Sequence, residues 1–182
     1  MANICTVGIK VVGKTEQSVN ELIQVFGHKH PRFYLYRSDL IRDSEIDREG
    51  EFFTAEIDVD VASRAANLLP PFAMEYKYGN EGSIPKDHPA YNAVCTDLPS
   101  VCKALDVGVE IFSEEPGCCF QEHIVIDHKG NIVEDESEEW HDSYEDDDGN
   151  EVEETGGFDF FGEYDDAKNI YYSEMEDEED ER

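Results

Sequence analysis

Ten carboxylates fall within fifteen residues: Glu134, Asp135, Glu136, Glu138, Glu139, Asp142, Glu145, Asp146, Asp147 and Asp148. Aromatic side chains lie among and just after them, at Trp140, Tyr144, Phe158, Phe160 and Phe161. The chemistry this offers is electrostatic recognition. A DNA duplex carries one negative charge per ~1.7 Å of axis, and a run of carboxylates can present a comparable charge to a basic groove. Steering by such a field speeds association and makes it salt-sensitive. Aromatics dominate interface hot spots, so the five here are the expected anchors of a partner surface. The competing reading is a solvated acidic tail on an ordinary small domain.

The charge of the whole chain sharpens this. The net charge is −31 at pH 7. Residues 1–107 account for −5 of it and residues 108–182 for −26, with only Lys129, Lys168 and Arg182 as bases in the second part. Self-repulsion on this scale costs stability. It argues against binding DNA, RNA or an anionic membrane, all of which attract Lys and Arg. The expected partner is a basic protein.

Other chemistry is weaker. With Gly149 placed at the obligatory glycine of an EF-hand loop, Asp146 and Asp148 fit. Tyr144 and Thr155 then stand where Asp and Glu are required, so the loop is not one. Cys95, Cys102, Cys118, Cys119 and His123 lack the paired C-x₂₋₄-C knuckles of a zinc ribbon, and no metal or cofactor is expected. Glu114, Glu115 and Glu122 lie near His123, and Cys5 has histidines elsewhere to pair with. Neither set comes with a nucleophile elbow, a P-loop or a dinucleotide fingerprint, and the chain is read as a non-enzyme. His28 and His30 flank Lys29 in a loop and read as surface residues.

The elements that must carry these residues follow from periodicity. Alternating Val7, Ile9 and Val11 predict a strand over 4–13. Thr15 is the expected N-cap of a helix over 16–26, whose Val19, Leu22, Ile23 and Phe26 share one face before Gly27 stops it. Strands are expected over 33–41 and 52–59, with a turn at 47–50 between them. A short helix is expected over 61–69, then a strand over 72–78 and a loop over 80–90. Asp97 caps a second helix to Leu105, with Pro99 in its first turn. Strands over 109–113 and 120–126 flank a turn at 115–117, and 128–131 turns the chain into Ile132 and Val133. The pattern is α+β, compatible with a ferredoxin-like antiparallel sheet covered by helices on one face.

From Glu134 the character changes. Thirteen of residues 134–154 are acids, and like-charge blocks usually stay disordered. Solvating tails are poor in aromatics, however, so part of 140–172 is expected to order on the domain or on a partner. The expected organisation is a domain at 1–133, an acidic-aromatic interaction region at 134–173 and a disordered tail at 174–182. Five cysteines suit a reducing compartment. With no signal-like or membrane-spanning apolar run, the expected location is the cytoplasm.

The opening Met1-Ala2-Asn3-Ile4-Cys5, with Ile9, Val11 and Gly13 following, resembles that of the YubB-like ferredoxin-fold family of phage and plasmid proteins. Residues 109–117, with Phe120 and Gly130 after them, are similar to the family's strand, acid-Pro-Gly turn and strand. Ile4 and Val7 depart from its pattern, which has an aromatic and often a second Asn there. The resemblance covers roughly residues 1–136. It implies a ferredoxin-like core and a mobile-element origin, and it transfers no catalytic residue. Together with the charge it sets the expectation of a counter-defence inhibitor. Its partner would be a basic nucleic-acid-binding host protein such as the CRISPR effector Cas9, whose nucleic acids lie in positively charged channels. The alternative is an acidic binding module for a basic protein of its own mobile element.

Overall fold

The computed structural model describes residues 4–35, 38–71, 93–94, 96–115, 120–139, 144–145, 149, 151–152 and 164–172. The strand read over 72–78, the loop over 80–90, the Pro-Gly turn at 116–117 and the tail at 174–182 lie outside them.

Strand β1, Ile4–Gly13, buries Cys5, Val7, Ile9 and Val11 on one face. Helix α1, Glu16–Phe26, starts where Thr15 Oγ1 accepts the Ser18 N–H at 3.1 Å and ends where Gly27 N donates to Ile23 O. Both elements have the bounds that period and capping predict. Strand β2, Ser38–Asp43, begins later than the strand expected over 33–41. Strand β3, Asp47–Glu49, replaces the expected turn. It pairs with the start of β4, Phe52–Ala62, and the reversal moves to Gly50, whose φ of +63° suits glycine. Val61 and Ala62 were expected to be helical. They remain in β4 because Cys5 and Ile4 of β1 pair with them. Only Ala65–Leu68 is helical, as one 3₁₀ turn.

Helix α2, Leu98–Leu105, has Asp97 as its cap, accepting from Ser100 N, and buries Leu98, Val101, Cys102 and Leu105. Strands β5, Val107–Glu115, and β6, Phe120–Ile126, follow. Asp127 Oδ1 then accepts from Lys129 N and Asn131 N, which closes the turn into β7, Ile132–Glu139. Gly130 takes φ +78° in that turn. Strand β7 therefore crosses position 133, where the sequence suggests a boundary.

The seven strands form one antiparallel sheet in the order β2-β4-β1-β5-β6-β7, with β3 also on β4. Strands β8, Tyr144–Glu145, and β9, Glu151–Val152, pair separately. The architecture is α+β. Helices α1 and α2 pack on one face over Val7, Ile9, Ala55, Ile57, Ile111 and Ile124. The other face carries Gly8, Lys10 and Val12. Segment 164–172, in the region expected to order on the domain or on a partner, crosses it, and its helix α3, Ala167–Tyr172, packs Ala167, Ile170 and Tyr171 on Val12 and Phe52, so that helices lie on both faces and not on one. Those two apolar side chains, on the side away from the main core, are the reason a helix docks there. No helix among the described residues is long and apolar enough to cross a membrane.

Candidate functional site: an acidic sheet edge

Among the described residues β7 pairs only with β6 and is the last strand of the sheet. Residues 132–137 are all exposed. Glu134, Asp135 and Glu136 lie consecutively in this strand, so their side chains alternate between the two faces. An extended strand advances ~3.4 Å per residue, so Glu134 and Glu136 on one face stand ~7 Å apart, with Asp135 on the other. Glu138 and Glu139 complete the strand opposite Gln121 and Phe120. Tyr144 and Glu145 form β8, opposite Val152 and Glu151. Trp140, Asp142, Asp146, Asp147, Asp148, Phe158, Phe160 and Phe161 lie outside the described residues.

The edge is tied to the sheet by a network that crosses three strands. Register places Glu110 of β5 and Glu134 of β7 on either side of Val125, on the face covered by segment 164–172. His123, two residues back along β6, reaches both diagonally. Its Nε2 is 3.0 Å from Glu110 Oε1 and its Nδ1 is 2.8 Å from Glu134 Oε2. The ring stacks on Phe112 at 4.6 Å. Burial lowers the pKa of His123. The hydrogen bond to Glu110 and the charges of Glu134, Glu110 and Asp165 outweigh it and place the net value above the ordinary 6.5. With two carboxylates as acceptors the ring donates from both nitrogens as imidazolium. That leaves no lone pair for a substrate proton in this state.

Glu110 is 2% exposed, and its second oxygen accepts the Asp165 N–H at 2.8 Å. Lys10 Nζ donates to Asp165 O and to Glu49 Oε2, while Glu49 Oε1 accepts from Ala167 N. The Ala167 bond, opposed by burial and reinforced by Lys10, holds the Glu49 carboxyl below its ordinary value. Farther along, His128 Nδ1 lies 2.8 Å from Asp106 Oδ1, and its ring stacks on Tyr171 at 4.3 Å. Burial, and then the bond to Asp106, push the Tyr171 phenol up. These pairs fix the acidic face and the segment that crosses it.

The sequence suggests Glu114, Glu115 and Glu122 as carboxylates near His123; the side chains of Glu114 and Glu115 lie outside the described residues. Glu122 points to the opposite face, where its Oε2 accepts from Ala65 N at 2.7 Å and Ser113 Oγ at 3.0 Å. Glu110 and Glu134, which do pair with it, lie thirteen and eleven residues away in sequence, and strand register brings them to His123. The one signal was Glu110 sitting at a polar position inside an alternating apolar strand. Cys5 and Cys102 are buried in β1 and α2, and burial raises the Cys102 thiol far above its ordinary range. His30 Nδ1 accepts from Phe33 N and its ring stacks on Phe33. Cys95, Cys118 and Cys119 lie outside the described residues, and no group of metal-ligating side chains is assembled among those described.

No family model, curated protein or solved structure matches the chain.

Proposed function

We propose that this protein is an acidic counter-defence inhibitor from a phage or other mobile element. It binds a basic nucleic-acid-binding protein in the host cytoplasm and competes with nucleic acid for its groove, a CRISPR effector such as Cas9 being the specific case. The observation that carries the reading is the edge strand β7, where the consecutive carboxylates Glu134, Asp135 and Glu136 stand exposed on alternating faces. The −26 carried by residues 108–182 supports it by supplying a long-range attractive field for a basic groove. Binding rather than catalysis is favoured because both His123 ring nitrogens are held by carboxylates. Trp140, Tyr144 and the Phe158–Phe161 stretch are the proposed aromatic anchors.

We read the core as ferredoxin-like on its connectivity. The order β1, α1, β2, β4, α2, β5 is a strand–helix–strand–strand–helix–strand sequence, with β1 between β4 and β5 and β2 beyond β4. Strands β6 and β7 then extend the sheet at one edge. On that connectivity the acidic strand is an addition to the core.

The test is a pull-down with the full chain against a panel of purified defence nucleases that includes Cas9. It is run at ~50 mM and ~500 mM salt, with duplex DNA as competitor. Capture of a nuclease that DNA and salt both displace is the expected result. Failure to capture any of them, or capture indifferent to both salt and DNA, would return the acids to a solvating role.

A further inference from the structure

Strand β7 is eight residues long, about 27 Å at ~3.4 Å per residue, and longer than the usual five or six. A sheet edge of that length presents a row of backbone N–H and C=O groups to any chain able to pair with it. Proteins blunt such edges with proline, lysine, bulges or a very short strand. β7 has neither proline nor a basic residue. Its register with β6 shifts once, at Val125/Ile126, and then runs without interruption from Glu134↔Val125 to Glu139↔Phe120. Among the described residues the protection beyond that one shift comes from the carboxylates, and it is selective. Another acidic strand, including a second copy of β7, meets like charges directly opposite, which destabilises pairing. A strand with Lys or Arg in register meets opposite charges instead.

Resting on the inhibitor reading above, we infer that β7 takes up an extended basic segment of the partner as an eighth strand, by backbone pairing along the edge that no described strand pairs with. Glu134 and Glu136 share the face that carries His123, so Lys or Arg at every second position of the incoming strand is the complementary pattern. Asp135, on the other face, adds a contact for a base between them. Backbone pairing supplies affinity, and the alternating charges set register and direction. Ile132 and Val133, 46% and 39% exposed, lie at the start of the same strand and offer an apolar position at its end.

The experiment uses the ¹⁵N-labelled full chain and two eight-residue peptides of alternating Lys and Val. They are identical in charge, but one has every amide N-methylated so that it cannot donate. Alternate residues of β7 direct their amides outward, away from β6. Strand addition is expected to slow hydrogen exchange at those outward amides. The methylated peptide is expected to bind at least tenfold more weakly. A Glu134→Gln, Glu136→Gln double variant is expected to lose affinity for the unmodified peptide while its amide spectrum stays folded. Equal binding of both peptides without new protection in β7 would overturn strand addition and leave a surface recognised by charge alone. No binding of either peptide would overturn it as well, and the nuclease pull-down would then decide the acidic reading by itself. Dimerisation of the free chain in sedimentation, abolished by changes in β7, would assign the edge to a second copy instead.

Discussion

His123 Nε2 on β6 lies 3.0 Å from Glu110 Oε1 on β5, and Glu110 in turn holds the backbone of Asp165 at 2.8 Å. A titrating ring is thus coupled through one buried carboxylate to the segment that crosses the sheet. The pKa of His123 is raised above its ordinary 6.5. Its stabilising contribution is therefore fully present below pH 6.5 and is lost as pH rises through the higher folded-state value. Glu49, whose pKa is lowered, behaves in the opposite sense. Its contribution is present above its ordinary 4.5 and is lost as pH falls through the folded value. His123→Gln is expected to cost about 1–2 kcal/mol near pH 5.5–6, the scale of a charge-assisted hydrogen bond, and progressively less toward pH 8.5. Thermal melts of both proteins across that range check this. A difference that does not change with pH would remove His123 from the titrating role.

Gly108 of β5 lies directly under α3. A Cβ there would stand 2.8 Å from Ile170 O and 3.0 Å from Tyr171 Cα, backbone atoms that cannot turn aside. Gly108→Ala is expected to lift α3 off the sheet at a cost of about 1–3 kcal/mol, the range for overpacking. Faster tryptic cleavage at Lys168 is the expected readout, with the sheet itself still folded. Gly8→Ala is the matched control. Its Cβ would meet the Tyr164 hydroxyl at 2.9 Å, the end of a side chain that can move. Equal cleavage of Gly108→Ala and wild type would contradict the packing.

Glu122 is 2% exposed and joins β6 to Ser113 on β5 and to Ala65 at the start of the 3₁₀ turn. Glu122→Ala strands a buried N–H and leaves a cavity, and is expected to cost about 2–4 kcal/mol. Glu122→Gln keeps an acceptor oxygen and is expected to cost less than half as much. Urea denaturation with an unchanged m-value measures both. Nuclease capture by the folded fraction of either variant is expected to match wild type, because this carboxylate faces away from the acidic surface. An enzyme that relied on Glu122 would lose function in both.

The parts of the fold that were legible in the sequence are those set by local rules. The bounds of β1, α1, α2 and β6 follow from apolar period and from Thr15 and Asp97 as caps. Strand β3 was read as a turn because Asp47, Arg48 and Glu49 carry no strand signal, and pairing with β4 alone makes them extended. The continuation of β7 through Glu134–Glu139 was hidden for the same reason. Residues 134–137 are exposed on both faces, and such a stretch shows no alternation of apolar and polar residues. The docking of α3 depends on Val12, Phe52 and Gly108, which lie 55 or more residues away from it in sequence. The acids were legible as a candidate surface. The pairing of Glu134 with His123, and of His123 with Glu110, was not, because register across three strands leaves no mark in the order of residues.

One charge distribution should respond to salt with opposite signs in two measurements. At −31 the folded chain is destabilised by its own repulsion, and the Debye length falls from ~30 Å at 0.01 M salt to ~10 Å at 0.1 M. Between ~20 mM and ~500 mM NaCl the melting temperature is expected to rise by about 3–6 °C, equivalent to 1–2 kcal/mol for a chain of this size. Affinity for a basic partner is expected to fall over the same range, because screening weakens the attraction between the two surfaces. The Lys10–Glu49 and Arg42–Asp58 pairs run the other way, since salt weakens them. With 45 acids against 14 bases most acids have no base to pair with, so repulsion decides the sign. Replacing Glu134, Asp135 and Glu136 by Gln, Asn and Gln should reduce both slopes together. If it flattened the binding slope and left the melting slope untouched, these residues would act in recognition without contributing to the repulsion. A melting temperature that fell with salt would mean that ion pairs, rather than repulsion, govern the stability of this fold.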